Sequence, residues 1–416
     1  MKRSTSLLVA LVAVGGALRL FHLGTQSLWV DEAVALRFAR YPLSDLVAEM
    51  LRHGEVHPPF YDALLHLWSD LSQREWWIRL PSALLGSLSA PLVWWLAREC
   101  GSGRRAALVA AGLFSVSAFD ICLSQEAKGY ALALAFTLAA TALFARLLRV
   151  PSTAGAVGYA LACVGGFYTH YLTALLWPCH LLAALSVKRE QTFWGAWGRA
   201  AALMVLAIAP WLSVLLRQAS AQDLSLFRQA GPADLLLAPL TLLCGAQWLL
   251  PEGWVGLLAA ATLLGPCVLV AALGAREMGR PQGTLLAFCA VLPGGVLFGV
   301  SNLTSLHVFW PKYIAFSLGP LYVLLARGLV SLRVPVAAAL GGVLCTMNGF
   351  SLFNLYFDER YQNQDWRSVA SYFAAHADAR DTVVLVPSMM VLPFRCYYGG
   401  PAPLLGMDGL DEPALR

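Results

Sequence analysis

Apolar residues recur in runs of about 17 to 22, the length a helix needs to cross a hydrocarbon core of about 30 Å. Such runs lie near residues 7–23, 79–97, 105–120, 129–148, 155–170, 172–187, 199–216, 254–274, 284–301, 311–328 and 334–354. The pattern predicts an all-α polytopic membrane protein with about eleven transmembrane helices. A further apolar stretch, Leu235 to Leu250, is read as an interfacial or re-entrant helix. Counting it as a crossing would send Arg276 and Arg280 outward, against the positive-inside rule.

With that choice Arg98, Arg104, Arg105, Arg146, Arg149, Lys188, Arg189, Arg276, Arg280, Arg327 and Arg333 share a side with Lys2 and Arg3. The N-terminus is then inside and the C-terminus outside. The same parity puts the polar segments Asp31–Glu75, Asp120–Gly129, Phe167–Tyr171 and Ser301–Tyr313 on the outer face. The first run resembles a signal peptide, but no small-residue cleavage site follows it, so it reads as a retained helix.

Polar and apolar positions alternate differently in the first outer loop, 24–78. Leu43, Leu46, Val47, Met50 and Leu51 recur at helical spacing, with Ser44 available as a cap. After Pro59, Tyr61, Leu64, Leu65, Trp68 and Leu71 make one helical face, and Asp62, His66, Ser69 and Gln73 the other. Two interfacial helices around His57 are expected, lying at the membrane surface with His53 and His66 exposed. Beyond residue 355 the composition turns polar, with a helix expected from Asp365 and a short strand from Thr382. The chain thus divides into a membrane domain, 1–355, and a small α/β outer tail, 356–416, too short to fold alone and expected to dock on the outer face. No internal repeat is apparent.

Composition agrees with the pattern: 58% hydrophobic and 13% charged residues, with a mean hydropathy of +0.64. The net charge of +5 sits in short loops beside apolar runs, as orientation signals do, which excludes nucleic acid as a partner. Of the nine cysteines, Cys163, Cys179, Cys244, Cys267, Cys289 and Cys345 fall in or beside apolar runs without metal-ligand spacing and read as small packing residues. Cys122 and Cys396 fall in outer loops, and nothing in the sequence pairs them.

The candidate chemistry lies on the outer side. Asp31 follows the first span closely, where an ionised carboxylate costs about 2.5–3.5 kcal/mol, and could accept a proton from a hydroxyl. Glu32, about 100° further round a helix, would orient a partner or a metal. Pro58 stiffens His57, and Pro59 opens the next helix. Lys128, at the outward start of an apolar helix, can meet an anion, although a snorkelling lysine would look the same. Tyr168, His170 and Tyr171 tip one turn, and Lys312 with Tyr313 enters another span from outside. These aromatics also fit an interfacial belt.

Seven motifs carry a resemblance: Ser27-Leu-Trp-Val-Asp-Glu-Ala33, His57-Pro-Pro-Phe-Tyr61, Arg79-Leu-Pro-Ser82, Ser124-Gln-Glu-Ala-Lys-Gly-Tyr130, Tyr168-Thr-His-Tyr171, Pro311-Lys-Tyr313 and Asp365-Trp-Arg367. In this order they resemble the glycosyltransferase C superfamily, specifically the bacterial family 39 relatives of protein O-mannosyltransferases, the lipid A aminoarabinose transferase and the rhizobial lipopolysaccharide galacturonosyltransferases. The resemblance implies hexosyl or pentosyl transfer from a polyprenyl-phosphate donor, with inversion, to an envelope glycan, lipid or protein hydroxyl. The setting it implies is the periplasmic face of a bacterial inner membrane. It makes Asp31 the base and Glu32 its support. His57, Arg79, Glu126, Lys128, Tyr130, His170, Tyr171, Lys312 and Tyr313 become donor-phosphate or substrate contacts.

Lys128 stands where many relatives carry Arg, which keeps the charge and loses the bidentate fork. Some relatives hold a divalent metal, for which His57, Glu126 and His170 are the candidate ligands, although no spacing demands one. The tail ends soon after Arg395–Gly399, short of the fuller outer domain the resemblance implies. The competing reading is a transporter or flippase of lipid-linked sugars, which should show broken helices near the midplane and repeat symmetry.

Overall fold

The computed structural model describes residues 2–221, 228–251 and 253–408, with the side chains of Lys2 and Arg3, the expected inner anchors, outside the described set. The chain is helical almost throughout. Helix α1 (Lys2–Leu20) precedes α2 (Val30–Ala39), α3 (Leu46–Arg52) and α4 (Phe60–Ser69), after which α5 (Glu75–Ser87) and α6 (Ser89–Glu99) form one apolar span. Next come α7 (Arg104–Ser115), α8 (Ala118–Ser124), α9 (Tyr130–Leu147), α10 (Thr153–Thr169), α11 (Leu176–Leu185), α12 (Gln191–Ile208) and α13 (Leu212–Ala221). The second half comprises α14 (Pro232–Cys244), α15 (Trp254–Met278), α16 (Gln282–Leu303), α17 (Leu318–Ser331) and α18 (Val334–Phe357). The tail adds α19 (Trp366–His376), β1 (Val383–Leu385), α20 (Val391–Arg395) and β2 (Leu404–Gly406), with the two strands paired in parallel.

The apolar runs lie largely in helix, yet among the described residues only seven helices, or eight if the bent α7–α8 pair is one span, are long and apolar enough to cross a membrane unaided. The expected eleven is not reached on that measure, because the apolar stretches Thr5–Leu20 and Tyr171–Leu185 are short and α10 has 17 residues. The difference has a physical cause: the first apolar run outlasts its helix, which ends at Leu20, and the run near 172–187 opens with a 3-10 turn at Tyr171–Leu175.

Lipid-facing and protein-facing helices separate clearly. The span Gln191–Ser220 is only 6% buried, whereas Pro311–Ser331 is 78% buried. Leu206, Leu269 and Val291 protrude from the first kind, apolar surface that only lipid tails would cover. Inside the bundle, α15 and α17 approach backbone to backbone. A Cβ on Gly274 would fall 1.9 Å from the Leu324 carbonyl oxygen, and one on Gly328 1.9 Å from that of Val270.

Two helix breaks are repaired mainly by one face of α18. The α7–α8 pair bends by 59°, and the Ala118 N–H left free by the break donates to Asn348 Oδ1 at 2.8 Å. The 13-residue α14 ends at Gly245, whose φ of 65° is the left-handed region suited to glycine. Its orphan carbonyls are taken up by Asn348 Nδ2 and Tyr322 Oη on Leu243, and by Ser351 Oγ on Cys244. Asn354 Nδ2 then donates to Trp248 O just beyond. At about 20 Å, α14 is too short to cross by itself. Asp120, expected in an outer loop, lies instead in α8, where Arg19 of α1 pairs with it and also donates to Gly15 O and Ser115 O. That buried pair fastens the first span to the short helix leading into residues 125–129.

The outer loop holds three helices rather than two, because the Asp31–Glu32 segment continues as α2. Nor does α4 expose its polar face. Asp62 and Ser69 are buried, 5% exposed each, since α4 is packed between α2 and α10. The tail has its own small core around Phe394 and docks on this loop through Arg367–Glu75 (2.7 Å), Leu28 N to Tyr397 Oη (2.7 Å) and Ser27 Oγ to Asp365 Oδ1 (3.2 Å). At the opposite end of the span from Glu75 to Glu99, Arg146 and Arg149 converge on Glu99, while Arg189 donates to Leu148 O.

Candidate active site

Asp31 and Glu32 begin α2 and, as adjacent helical residues must, face different surroundings. Glu32 is fully buried and its oxygens are fully used. Arg79 Nε and Nη2 donate to it at 2.7 Å each, Ala127 N at 2.8 Å and Trp29 N at 3.3 Å. Arg79, expected at the donor phosphate, spends its remaining donors on the carbonyls of Leu23, Gln26 and Ser27. The pair therefore knots the α1–α2 link to α5 and to residue 127, and neither member is free for a ligand. Asp31 is partly exposed, and among the described residues its carboxylate has no hydrogen-bond partner. Its charge acts on both Lys128 and Lys312.

A tight turn leads the 125–129 segment into the N-terminal end of α9, with Lys128 N donating to Glu126 O at 2.8 Å and Ser82 Oγ to Lys128 O at 3.3 Å. Lys128 is 7% exposed, and its ammonium has no ion pair or hydrogen bond among the described residues. Lys312 differs. Glu126 takes it at 2.7 and 3.0 Å, and its Nζ lies 4.3 Å over the Trp29 ring.

Beside Lys128 lies a cavity of about 10 Å³, the size of one water, lined by His57, Asp62, Tyr130 and His170 among others. His57 is oriented by Glu55, whose Oε1 also accepts the N–H groups of Val56 and His57. Burial would raise the Glu55 carboxyl, but the hydrogen bond from His57 and the charges of His57 and Lys128 outweigh it and hold it at about 2. Asp62 moves the other way. Burial pushes it up to about 7, against the pull of Lys128 and with the push of Glu55.

His170 is 9% exposed, its ring nitrogens have no hydrogen-bond partner, and the rings of His57, Tyr130 and Tyr313 surround it at 6.0, 5.8 and 5.8 Å. Tyr171 faces away from this cavity, with its hydroxyl donating to Gln218 and accepting from Trp211 Nε1 at 2.8 Å. Gln218 in turn donates to Glu55 O at 2.8 Å and His57 O at 3.3 Å, so α13 braces the His57 loop.

His57, Glu126 and His170 do not form a metal centre. Glu126 is held by Lys312, and no group of three or more potential ligands occurs among the described residues. Sequence reasoning also missed Glu55, Asp62 and Gln218. Only Asp62 left a signal, by directly following the His57–Tyr61 motif.

A larger cavity of about 180 Å³ opens on the other side of Lys312, bounded by the first-loop backbone, the 122–126 segment, Gln247 and Trp248, and Tyr361 and Asn363 of the tail.

Residues 56–214 match the family model of dolichyl-phosphate-mannose-protein mannosyltransferases. No curated protein sequence matches the chain significantly. Among solved structures, ArnT from Cupriavidus metallidurans bound to undecaprenyl phosphate is similar with a TM-score of 0.62 at 15% identity, covering 96% of this chain and 86% of that one. The Archaeoglobus fulgidus oligosaccharyltransferase tethered to an acceptor peptide gives 0.60 at 13% identity, covering 97% of this chain and 64% of that one. The mycobacterial arabinofuranosyltransferase AftD gives 0.59 at 18%, covering 96% of this chain and 31% of that one. This multi-pass membrane protein thus shares its bundle over nearly the whole length with these membrane glycosyltransferase structures, and within that fold residues 56–214 are similar to the dolichyl-phosphate-mannose-protein mannosyltransferase family.

Proposed function

We propose that the chain is a membrane glycosyltransferase that moves a sugar from a polyprenyl-phosphate donor to an acceptor hydroxyl at the periplasmic face of a bacterial inner membrane, with its N-terminus cytoplasmic. Asp31 takes the acceptor's hydroxyl proton. The oxygen attacks the anomeric carbon from the face opposite the phosphate, the carbon–oxygen bond to phosphate breaks, and the configuration inverts. Lys128 offsets the charge gathering on the departing phosphate, where a fixed cation counts for most in a site poor in water. His170, Tyr130 and Tyr313 shape the space beside it, while Glu32 and Arg79 hold the α1–α2 link that aims Asp31. Lys312 is already neutralised by Glu126 and serves mainly to shape the cleft.

The observation that carries this reading is the Asp31 carboxylate and the buried Lys128 ammonium, each without a hydrogen-bond partner among the described residues, whose charges act on each other. Undecaprenyl phosphate bound to the structurally similar ArnT supports the donor class. The test is chemical. Purified protein in detergent, given polyprenyl-phosphate sugar, should release polyprenyl phosphate in step with a glycosylated acceptor. A transporter, with no second compartment, would leave the donor intact, and that result would overturn the proposal.

A further inference from the structure

The cavity of about 180 Å³ beyond Lys312 is unlike the Lys128 side of the site. Its charged walls are compensated in pairs, Glu32 with Arg79 and Glu126 with Lys312. What remains is mainly amide, hydroxyl and ring, with the Cys122 thiol turned to Glu126 Oε1 at 3.8 Å and the His22 imidazole stacked on Phe21. Gln26 spends its carbonyl oxygen on Asn363 N–H at 3.2 Å, so its NH₂ is left over. Gln125 spends its NH₂ on the carbonyls of Arg19 and Phe21, so its oxygen is left over. Gln247 is exposed and keeps both groups. Trp248, buried to 6% exposure, supplies a flat apolar wall.

We infer that this cavity seats the acceptor, and that the acceptor presents an uncharged, hydroxyl-rich sugar ring there. The inference rests on the glycosyltransferase reading and deepens it. Amides offer donors and acceptors without net charge, which matches hydroxyls that both donate and accept. An aromatic wall suits the C–H face of a ring. A carboxylate or ammonium would enter a cavity whose opposite charges are already engaged and would lose hydration without a partner. The volume is below the 300–1,000 Å³ or so of drug-sized sites, leaving space for about one ring. Glu32, the residue that follows Asp31, lines this cavity, so a hydroxyl presented here sits beside the helix start that carries the base.

The test uses three probes that differ only in charge: methyl glucoside, methyl glucuronoside and, in mildly acidic buffer, methyl glucosaminide. Binding to the full chain in nanodiscs is read by saturation-transfer NMR. The neutral glycoside should bind at least about tenfold tighter than either charged ring, and Gln247→Leu, at an exposed position that folding tolerates, should weaken it severalfold. Equal or tighter binding of a charged ring, or an unchanged affinity in Gln247→Leu, overturns the inference. Polyprenyl-phosphate binding is measured on the same nanodiscs. If the wild-type chain fails to bind it, the glycosyltransferase reading itself fails; if it binds while a charged ring wins, only the acceptor class falls.

Discussion

Asp31 and Glu32 are two carboxylates one residue apart, and Glu126 and Lys128 are opposite charges two positions apart, yet the fold gives the members of each couple opposite fates. Glu32 and Glu126 are buried against Arg79 and Lys312 with their oxygens engaged. Asp31 and Lys128 have no such partners among the described residues. The contrast separates scaffold from chemistry. A buried charge that is fully paired is costly to break but has nothing left for a substrate. An unpaired one is free to change partners during a reaction, and the paired residues beside it carry the load of holding it in place.

Four measurements press on this contrast. The largest effect is expected for Asp31→Asn, which should lower transfer by roughly 10²- to 10⁴-fold, the usual span for a lost general base, while thermal melting stays near wild type. Retained transfer would remove Asp31 from the unpaired, reactive class. Arg79→Ala should do the reverse, costing about 3–5 kcal/mol of stability by stranding Glu32, with the double substitution Glu32→Gln/Arg79→Met recovering most of it; melting curves in detergent decide. Lys128→Ala should weaken donor binding by roughly 10- to 100-fold, the equivalent of about 1.5–3 kcal/mol for a hydrogen bond to a charged group, with little change in melting. A large melting change there would move Lys128 to the scaffold.

The smallest effect concerns pH. Asp62 is held at about 7, above its ordinary 3.8, so the native state keeps its proton where the unfolded chain has lost it. Its contribution to stability is present below pH 4 and is lost as pH rises through about 7. Over the same upper limb its new negative charge competes with the donor phosphate for Lys128. The donor phosphodiester does not titrate there, so donor affinity should fall as pH passes 7, and Asp62→Asn should flatten that limb. A limb unchanged in the variant would assign the titration to another group.

The helical membrane class was legible because long apolar runs have few other uses, and the short α14 was legible because positive charges fix parity. His57, Lys128 and His170, which line one cavity, could be grouped in the sequence because parity gives their motifs the same expected side. The division between paired and unpaired charges was not, since Arg79 meets Glu32 across 47 residues and Lys312 meets Glu126 across 186. Adjacent carboxylates carry no local mark of which one a distant arginine will claim. Asp62 was misplaced for a related reason. Its helix looks amphipathic for a water surface, but the neighbours that bury its polar face come from α2 and α10.

The tail grips the ribbon that carries Asp31 at contacts between residues far apart in the chain, Ser27 with Asp365 across 338 positions and Leu28 with Tyr397 across 369. Drift at either end of such a contact therefore disturbs the aim of the reacting group unless the other end drifts with it. Across descendants of this gene, the extreme ends of the chain should evolve as couples, even though sequence between them is free to diverge wherever it only meets lipid.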